Sequence, residues 1–596
     1  MPMDALKAGW ILITFFLVFL WFPARLFSSR VNRFTFLGIA GNWARMSLLT
    51  VTAIFILSRL RILTAITVGF LLAIGLVLAW LQKHYWELGS LTDGLKGTIL
   101  QLLRKLETRS VSFGLFRHGP GCNSNPHSRR GANGWSVTLL ENGLTIAPIL
   151  AAVAITGILR FANAWQELRL ERVEQYAYLL QARELLLNLS QVGRPFVFPS
   201  LIATTSLLSA VDPMQVTRFL SPLVGIFFVL AVGLFLQSCM RVRLASIVAM
   251  YCLGAAACPP LVEQQIPTAT SVLQKLGGLF ALSSPATMRA GTEFELGVLF
   301  ALLGLAFLAA WSRNPNRDML LDAGCCVLLT GLVSLFLLQL LAITAVLVLV
   351  RPRLAPAVFV LLCYGLAAYA VLSPSTVMAS ELFPTLPVAA ALAVGSLLAA
   401  IILTCRLELR KDAQAVLLAA CLILAMVWFT PHRLLSQPLE YEAAARQTQE
   451  IAHKFSAQKW VVVAPIEQFS ETLGFGGYED LASFVERYRN AVSTPQFHFP
   501  SVPQDLFIYV ETIPFQMFPQ EPLTVPFAVL TDATYRSYRS PAGRASLEYH
   551  AWQLCENYRQ YHSDMEVYFQ DDHLVIYRIH SEGGPKPGTE ERRAAL

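Results

Sequence analysis

The chain has 596 residues, of which 55% are hydrophobic and 14% are charged. A globular protein in water carries about 25% charged residues, so the composition indicates that most of this chain lies in lipid. The net charge of +7 does not indicate nucleic-acid binding, because many Lys and Arg residues lie in breaks between apolar runs and no nucleic-acid-binding motif is present.

Apolar runs occupy the chain up to about Pro431, where its character changes to that of an ordinary polar segment. A bilayer excludes unpaired backbone groups, so these runs are predicted to cross as helices of about 20 residues. The first run has no clear signal-peptide cleavage site and is interpreted as a retained helix. The run at 318–350 is too long for one crossing and is interpreted as two short helices. The predicted spans, about twelve helices in all, are 10–27, 46–58, 62–82, 139–161, 219–238, 243–257, 294–312, 318–350, 356–372, 385–404 and 413–430.

Basic residues in the breaks predict the orientation of these helices. Residues 83–134 contain eight Lys or Arg residues and three acidic residues, which is typical of a cytoplasmic loop. The alternation that follows places the segments 162–218 and 258–292, and the chain after residue 430, outside the cytoplasm.

A domain organisation follows for a multi-pass protein of the plasma (inner) membrane. It consists of N-terminal transmembrane helices (1–82), a partly disordered basic cytoplasmic loop (83–138), a transmembrane domain (139–430), an extracytoplasmic α/β domain (431–580) and a disordered tail (581–596).

The first external segment, 162–218, carries the strongest functional pattern. It continues from a predicted span as an amphipathic helix rich in glutamate. Residues 197–211 are too short to cross and are expected to form a helix on the membrane surface or dipping into it. The series Glu174-Gln175-Tyr176-Ala177-Tyr178 precedes this apolar stretch, and an Asp212-Pro213 turn and the helix pattern RFLSPLVGIFFVLAVGLFL follow it.

This succession, over about 160–240, resembles the GT-C superfamily of membrane glycosyltransferases, whose donors are usually polyprenyl-phosphate-linked sugars. Where that family often has an Asp or an acidic pair, this chain has the single Glu174. The resemblance implies that Glu174 is a general base for an acceptor hydroxyl, and that Glu171 shares its proton or joins it in holding a divalent cation, Mg or Mn. The alternative is that both acids belong to the solvated face of an interfacial helix, together with Glu167, Arg172 and Arg183.

The second external segment, 258–292, contains Lys275 and Arg289. Both could bind the phosphate of a lipid carrier through charge-assisted hydrogen bonds. The alternative is that they are ordinary charges flanking a membrane helix.

The polar tail has the pattern of an α/β domain. Short apolar strands are predicted at Trp460–Ala464, Leu506–Val510, Met565–Phe569 and Leu574–Ile579. Helical spacing is found over Tyr478–Ala491 and Gly543–Tyr561. The glycines of the stretch 473–478 (LGFGGY) could cradle an anion before a helix or could form a tight turn.

Three functions are compatible with these patterns. The first is a GT-C-like transferase that moves a sugar from a polyprenyl-phosphate donor to an extracytoplasmic glycan or protein acceptor. The second is a non-catalytic membrane anchor whose C-terminal domain binds a partner in the cell envelope. The third is a transporter, which the near absence of charged residues from the predicted helix interiors disfavours.

Overall fold

In the computed structural model of this chain, the described residues are mostly helical and include one small sheet near the C-terminal end. Among the residues described, three helices are long and apolar enough to cross a membrane, Ala5–Ala24, Phe36–Arg59 and Pro213–Cys239. Shorter apolar helices accompany them at Ala65–Gly75, Ile149–Ile158, Val197–Ser209, Glu295–Trp311 and Leu337–Val350. The residues that the structure describes are 2–27, 36–75, 77, 149–158, 160–161, 164–170, 173–189, 195–240, 246–247, 250, 292–313, 315–350, 440–456, 459–465, 468–490, 496–497, 499, 505–514 and 541–580.

The described helices of the apolar part overlap the predicted spans 10–27, 46–58, 62–82, 139–161, 219–238, 294–312 and 318–350, with different bounds, and two further helices, Val173–Leu186 and Val197–Ser209, were not predicted as spans. The bounds of the helices in this part are Pro2–Phe15, a π-helical stretch Phe16–Trp21, Phe22–Leu26, Phe36–Arg59, Val173–Leu186, Val197–Ser209, Pro213–Met240, Thr292–Trp311, Arg317–Val333 and Leu335–Val350. The predicted spans 356–372, 385–404 and 413–430 lie outside the described residues. A total of about twelve spans therefore stays a prediction.

The division of the long apolar run into two helices is confirmed. One helix ends at Val333 and the next begins at Leu335, and the backbone of Ser334 between them is extended. Along the helix Thr292–Trp311, Gly297 lies against Val333 and Leu337, whereas Gly304 lies against Cys326 and Leu341. The two helices therefore run in opposite directions along the same neighbour.

The helix predicted at 46–58 begins earlier, at Phe36. The sequence interpretation began this span after Arg45, at residue 46. In the structure Arg45 is paired with Asp322 of the helix Arg317–Val333, so its charge is compensated and the helix continues through it.

Contacts between helix ends show how the apolar bundle is arranged. Arg160 lies 3.5 Å from Glu295, at one end of the bundle. Arg313 donates a hydrogen bond to the Cys239 carbonyl at 3.2 Å, at the other end. The C-terminal sheet domain is on the Arg160 end, because Gln215, just after the start of Pro213–Met240, donates to Gln449 of that domain at 3.3 Å.

The C-terminal domain contains a mixed sheet of five strands in the order β2-β1-β3-β5-β4. The strands are β1 (Trp460–Ala464), β2 (Gly477–Asp480), β3 (Asp505–Glu511), β4 (Met565–Gln570) and β5 (Leu574–Ile579). Strands β2, β1 and β3 are parallel, and β5 is antiparallel to both β3 and β4.

Helices cover both faces of this sheet. The helix Glu442–Lys454 packs on one face, against Trp460 and Phe507 among others. The helices Leu481–Tyr488 and Pro541–Tyr561 pack on the other. The predicted strands and the C-terminal helix are confirmed, but the sequence interpretation missed the helix Glu442–Lys454 and strand β2, because β2 begins in a glycine-rich stretch that resembles a turn.

Candidate functional site

The helix Val173–Leu186, called the loop helix below, lies between the apolar bundle and the C-terminal domain. Its Leu, Ala, Gln, Glu and Arg residues are good helix formers. It ends at a turn where Asn188 adopts a left-handed conformation, with φ of 55°. The amide of Asn188 accepts a hydrogen bond from the Leu63 backbone at 3.2 Å, which attaches this end of the loop helix to the bundle.

Polar side chains fill the contact between the loop and the C-terminal domain, which is called the seam below. The seam consists of Arg169, Tyr176, Arg183 and Asp212 from the loop, and of Glu440, Glu442, Gln468 and Glu471 from the domain. Because these groups are removed from water, each needs a partner within the protein.

Tyr176 is the central residue of the seam and is fully buried. Its hydroxyl donates to Glu440 Oε1 at 2.6 Å and accepts from the Leu170 backbone at 3.3 Å. The other oxygen of Glu440 accepts from Gln468 at 2.7 Å. Burial, and next the negative charge of Glu440, raise the pKa of Tyr176 well above its ordinary value, so the phenol remains a hydrogen-bond donor.

Glu442 binds the part of the loop that precedes the loop helix in the chain. Its carboxylate accepts hydrogen bonds from the backbone of Leu168 at 2.9 Å and of Arg169 at 3.0 Å. The Arg169 side chain then pairs with Glu167 at 2.7 Å and donates to the Glu440 carbonyl at 3.1 Å. Side chains of the domain thus satisfy backbone groups that an irregular loop would otherwise leave unpaired.

Arg183 connects three separate parts of the chain. Its guanidinium donates to the carbonyls of Glu471 and Leu473, pairs with Asp212 at 3.0 Å and lies over the Phe475 ring, 4.8 Å from its centre. The side chain is 4% exposed, so the interpretation of Arg183 as part of a solvated face is wrong. The charge is tolerated because Asp212 and the two carbonyls replace its hydration.

The glycine-rich stretch 473–478 is a docking turn and not an anion cradle. The backbone N–H groups of Phe475 and Gly476 both donate to the Thr472 carbonyl, at 2.9 and 3.1 Å. A side chain on Gly476 would run into the Trp460 ring, so glycine is required there by close packing. The group that this turn presents to the loop is the Leu473 carbonyl, which binds a cation, Arg183.

Two carboxyl groups of the seam, those of Glu440 and Glu471, are buried. Glu440 is 1% exposed and Glu471 is 3% exposed, so two full charges here would be strongly repulsive. Burial, and then the Glu440 charge, raise the pKa of Glu471 well above its usual range, against a lowering contribution from Arg183.

The helix Val197–Ser209 is a short helix buried by neighbouring helices. It packs against the helices Phe36–Arg59 and Pro213–Met240 and against the loop helix. The Glu293 carboxylate caps its N-terminal end by accepting from the backbone of Val197 at 3.0 Å and of Phe198 at 2.7 Å. A short helix can end inside a membrane protein only where its terminal backbone groups are satisfied in this way.

The sequence-predicted site residues fall largely beyond the described part of the chain. Glu171, Lys275 and Arg289 lie outside the described residues. The backbone of Glu174 lies in the first turn of the loop helix, and its side chain is outside the described part. Within the described ranges, no group of three or more His, Cys, Asp or Glu residues could hold a metal ion.

The residues that sequence reasoning missed are those that join distant segments. Tyr176 and Glu440 are 264 positions apart, and Arg183 and Glu471 are 288 apart. The sequence features that pointed to the seam were the Asp212-Pro213 turn and Tyr176 in the series Glu174–Tyr178. Neither feature shows which distant residue it contacts. In the bundle, Asp322 was missed because a single acid in a long apolar run has little weight in a hydropathy pattern.

No known protein-family profile, curated protein or solved structure matches this chain.

Proposed function

We propose that this protein is an integral-membrane glycosyltransferase of the GT-C type, which transfers a sugar from a polyprenyl-phosphate donor to an extracytoplasmic glycan or protein acceptor. The observation that carries the proposal is the placement of the loop helix. This helix has Glu174 in its first turn and is held between the apolar bundle and the C-terminal domain. The buried contacts of Tyr176 and Arg183 fix the helix, and thus the position of its first turn.

The order of elements around the loop supports the same proposal. Along the chain, the loop helix and the buried helix Val197–Ser209 follow the apolar helix Ile149–Ile158 and precede the helix Pro213–Met240. A sheet domain covers this loop. In the proposed topology, about twelve helices cross the plasma (inner) membrane among its lipids, and the sheet domain lies outside the cytoplasm.

Glu174 has the role of a general base in the proposed reaction. Its carboxylate removes the proton from an acceptor hydroxyl as that oxygen bonds to the sugar carbon. The bond between this carbon and the phosphate oxygen breaks, and its electron pair leaves with the polyprenyl phosphate. Lys275 and Arg289 would bind this phosphate. A divalent cation held by Glu171 and Glu174 is not needed for any of these steps.

The proposal is tested by the substitution Glu174→Gln, which preserves size and removes the base. The purified protein in lipid vesicles is supplied with a panel of polyprenyl-phosphate sugars and acceptors, and the released polyprenyl phosphate is measured. We expect release to fall by about 10²–10⁴-fold. Glu184→Gln on the same helix is the matched control and should keep the wild-type rate. Equal rates for both variants would contradict the assignment of Glu174.

The seam itself favours a second candidate, a non-catalytic anchored domain. Tyr176, Arg183, Glu440 and Glu471 are packed in a buried contact, as a rigid attachment of the C-terminal domain requires. In that case no sugar donor is consumed by the wild-type protein, and the domain would bind an envelope partner equally well in the Glu174→Gln variant. Measuring both donor consumption and binding of an envelope partner, in the wild type and in Glu174→Gln, distinguishes the transferase from the anchored domain.

A further inference from the structure

Arg160 is a largely buried cation at the end of the bundle that faces the C-terminal domain. It follows the apolar helix Ile149–Ile158, and its side chain is 16% exposed. Among the described residues its polar partner is the Glu295 carboxylate, whose Oε2 lies 3.5 Å from Nη1. The Nε group is buried and has no hydrogen-bond partner there. A guanidinium carries several N–H donors in a planar fork, so the described protein groups use little of its binding capacity.

Gly225 makes room for this side chain. A Cβ atom on Gly225 would lie 2.6 Å from Nη1 and 2.7 Å from Cδ and Cζ of Arg160, so the arginine lies directly against the backbone of the helix Pro213–Met240. Arg218 lies on the same face of that helix about two turns earlier, and its Nε donates to the Ala164 carbonyl at 2.6 Å. This face of the helix therefore carries one buried arginine and receives a second.

The surface beside Arg160 is apolar and exposed. On the preceding helix, Leu150, Ile155 and Ile158 are exposed, and Ile158 is 71% exposed. Trp165, just after Arg160 in the chain, is 45% exposed. In a membrane protein, exposed aliphatic side chains contact lipid chains, and Trp is typical of the headgroup level. Arg160 thus lies where a lipid would present its headgroup to the protein.

We propose that Arg160 binds the phosphate group of a membrane lipid at this end of the bundle. A partly desolvated guanidinium with unused donors favours phosphate, to which it forms strong, charge-assisted hydrogen bonds. The exposed apolar surface beside it favours a phosphate that carries a hydrocarbon chain over a free ion. The inference goes beyond the transferase proposal, because a lipid phosphate binds here whether or not a sugar is transferred.

The experiment measures lipid binding to the full chain by native mass spectrometry, with no sugar acceptor present. Four probes are titrated separately: a polyprenyl phosphate, the corresponding polyprenol, phosphatidylglycerol and inorganic phosphate. We expect at least one of the two lipid phosphates to bind more tightly than both the polyprenol and inorganic phosphate. The comparison between the two lipid phosphates identifies the source of the phosphate group.

The first variant, Arg160→Met, removes the cation. We expect the Kd of the lipid phosphate to rise by about 10–100-fold, as for the loss of hydrogen bonds to a charged group. Arg59→Met is the matched control, because Arg59 is an exposed arginine of the bundle, and it should keep the wild-type Kd. Thermal unfolding in detergent shows whether each variant is folded.

Two further variants separate phosphate binding from a purely structural role of Arg160. Gly225→Ala keeps every charge but displaces the guanidinium, so it should weaken binding. Its control is Gly157→Ala, whose new Cβ would make an ordinary 3.5 Å contact with Ile226. Glu295→Gln removes the carboxylate that competes with phosphate for Arg160, so it should strengthen binding. If Arg160→Met does not fold, these two variants decide the question.

Four results would overturn the proposal. The first is a wild-type protein that binds neither lipid phosphate. The second is an unchanged Kd in a folded Arg160→Met variant. The third is a polyprenol or inorganic phosphate that binds as tightly as both lipid phosphates, because the phosphate or the chain would then contribute nothing. The fourth is weaker binding in Glu295→Gln, because Arg160 would then act only as the structural partner of that carboxylate.

Discussion

The apolar bundle and the seam each contain a buried group of charges, and the two groups differ in their balance. In the bundle, Arg45 pairs with Asp322 and also donates to the Asp318 carbonyl at 3.1 Å. At the seam, Arg183 pairs with Asp212, and two further carboxyls, those of Glu440 and Glu471, are almost completely buried. The bundle pair joins two helices through compensated charges, whereas burial and the Glu440 charge raise the pKa of Glu471 at the seam, which makes a buried carboxyl there sensitive to its surroundings.

The largest effect is expected for Arg183→Met, which removes the cation of the seam. The change leaves Asp212 without its partner and deprives the carbonyls of Glu471 and Leu473 of a donor. Breaking a buried pair by removing one partner costs about 3–5 kcal/mol. We expect exchange protection of the loop helix and of Glu442–Lys454 to be lost together.

Arg446→Met is the matched control, because Arg446 forms an exposed pair with Glu442 four positions earlier in the same domain. Pairs of this kind contribute at most about 0.5 kcal/mol. Similar exchange protection of the loop helix and of Glu442–Lys454 in the two variants would show that Arg183 does not stabilise the seam. The contrast between the buried charges of the seam and those of the bundle would then be wrong.

A smaller effect is expected for Arg45→Met in the bundle. Both side chains of the Arg45–Asp322 pair are about one tenth exposed. We therefore expect the free energy of unfolding to fall by an amount at the lower end of the range for buried pairs, about 3 kcal/mol. The measurement is thermal unfolding in detergent. The double variant Arg45→Met/Asp322→Leu should recover most of the loss, since replacing both charges with apolar groups is often neutral.

The smallest effect is expected for Gly41→Ala. A Cβ atom on Gly41 would run into the Asp322 carboxylate, which would have to shift away from Arg45. Overpacking of this kind costs about 1–3 kcal/mol. Gly324→Ala is the control on the helix that carries Asp322, because no atom lies within 4 Å of its new Cβ. An equal unfolding temperature for the two variants would show that Gly41 does not matter for the pair.

The sequence predicted those parts of the fold that depend on local pattern. Strands β1, β3, β4 and β5 and the divided run at Ser334 follow from short apolar periodicity and from length. The seam could not be predicted in the same way, because periodicity shows which face of a helix is apolar and not which distant segment covers it. Arg183 illustrates the difference: its spacing resembles that of a solvated face, and only a turn 288 positions later makes it buried.

The most direct test of the central claim, that the C-terminal domain is docked on the loop at one end of the bundle, is a chemical cross-link between the domain and the start of the helix Pro213–Met240. Cysteines replace Gln215 and Gln449, whose side-chain amides meet at 3.3 Å, and a short bifunctional thiol reagent bridges them because a direct disulfide would need much closer Cβ atoms. The account predicts that mass spectrometry of the full chain in membranes detects efficient linkage of positions 215 and 449. Absence of the linked peptide, with both cysteines modified singly by the reagent, would contradict the docking on which the seam depends.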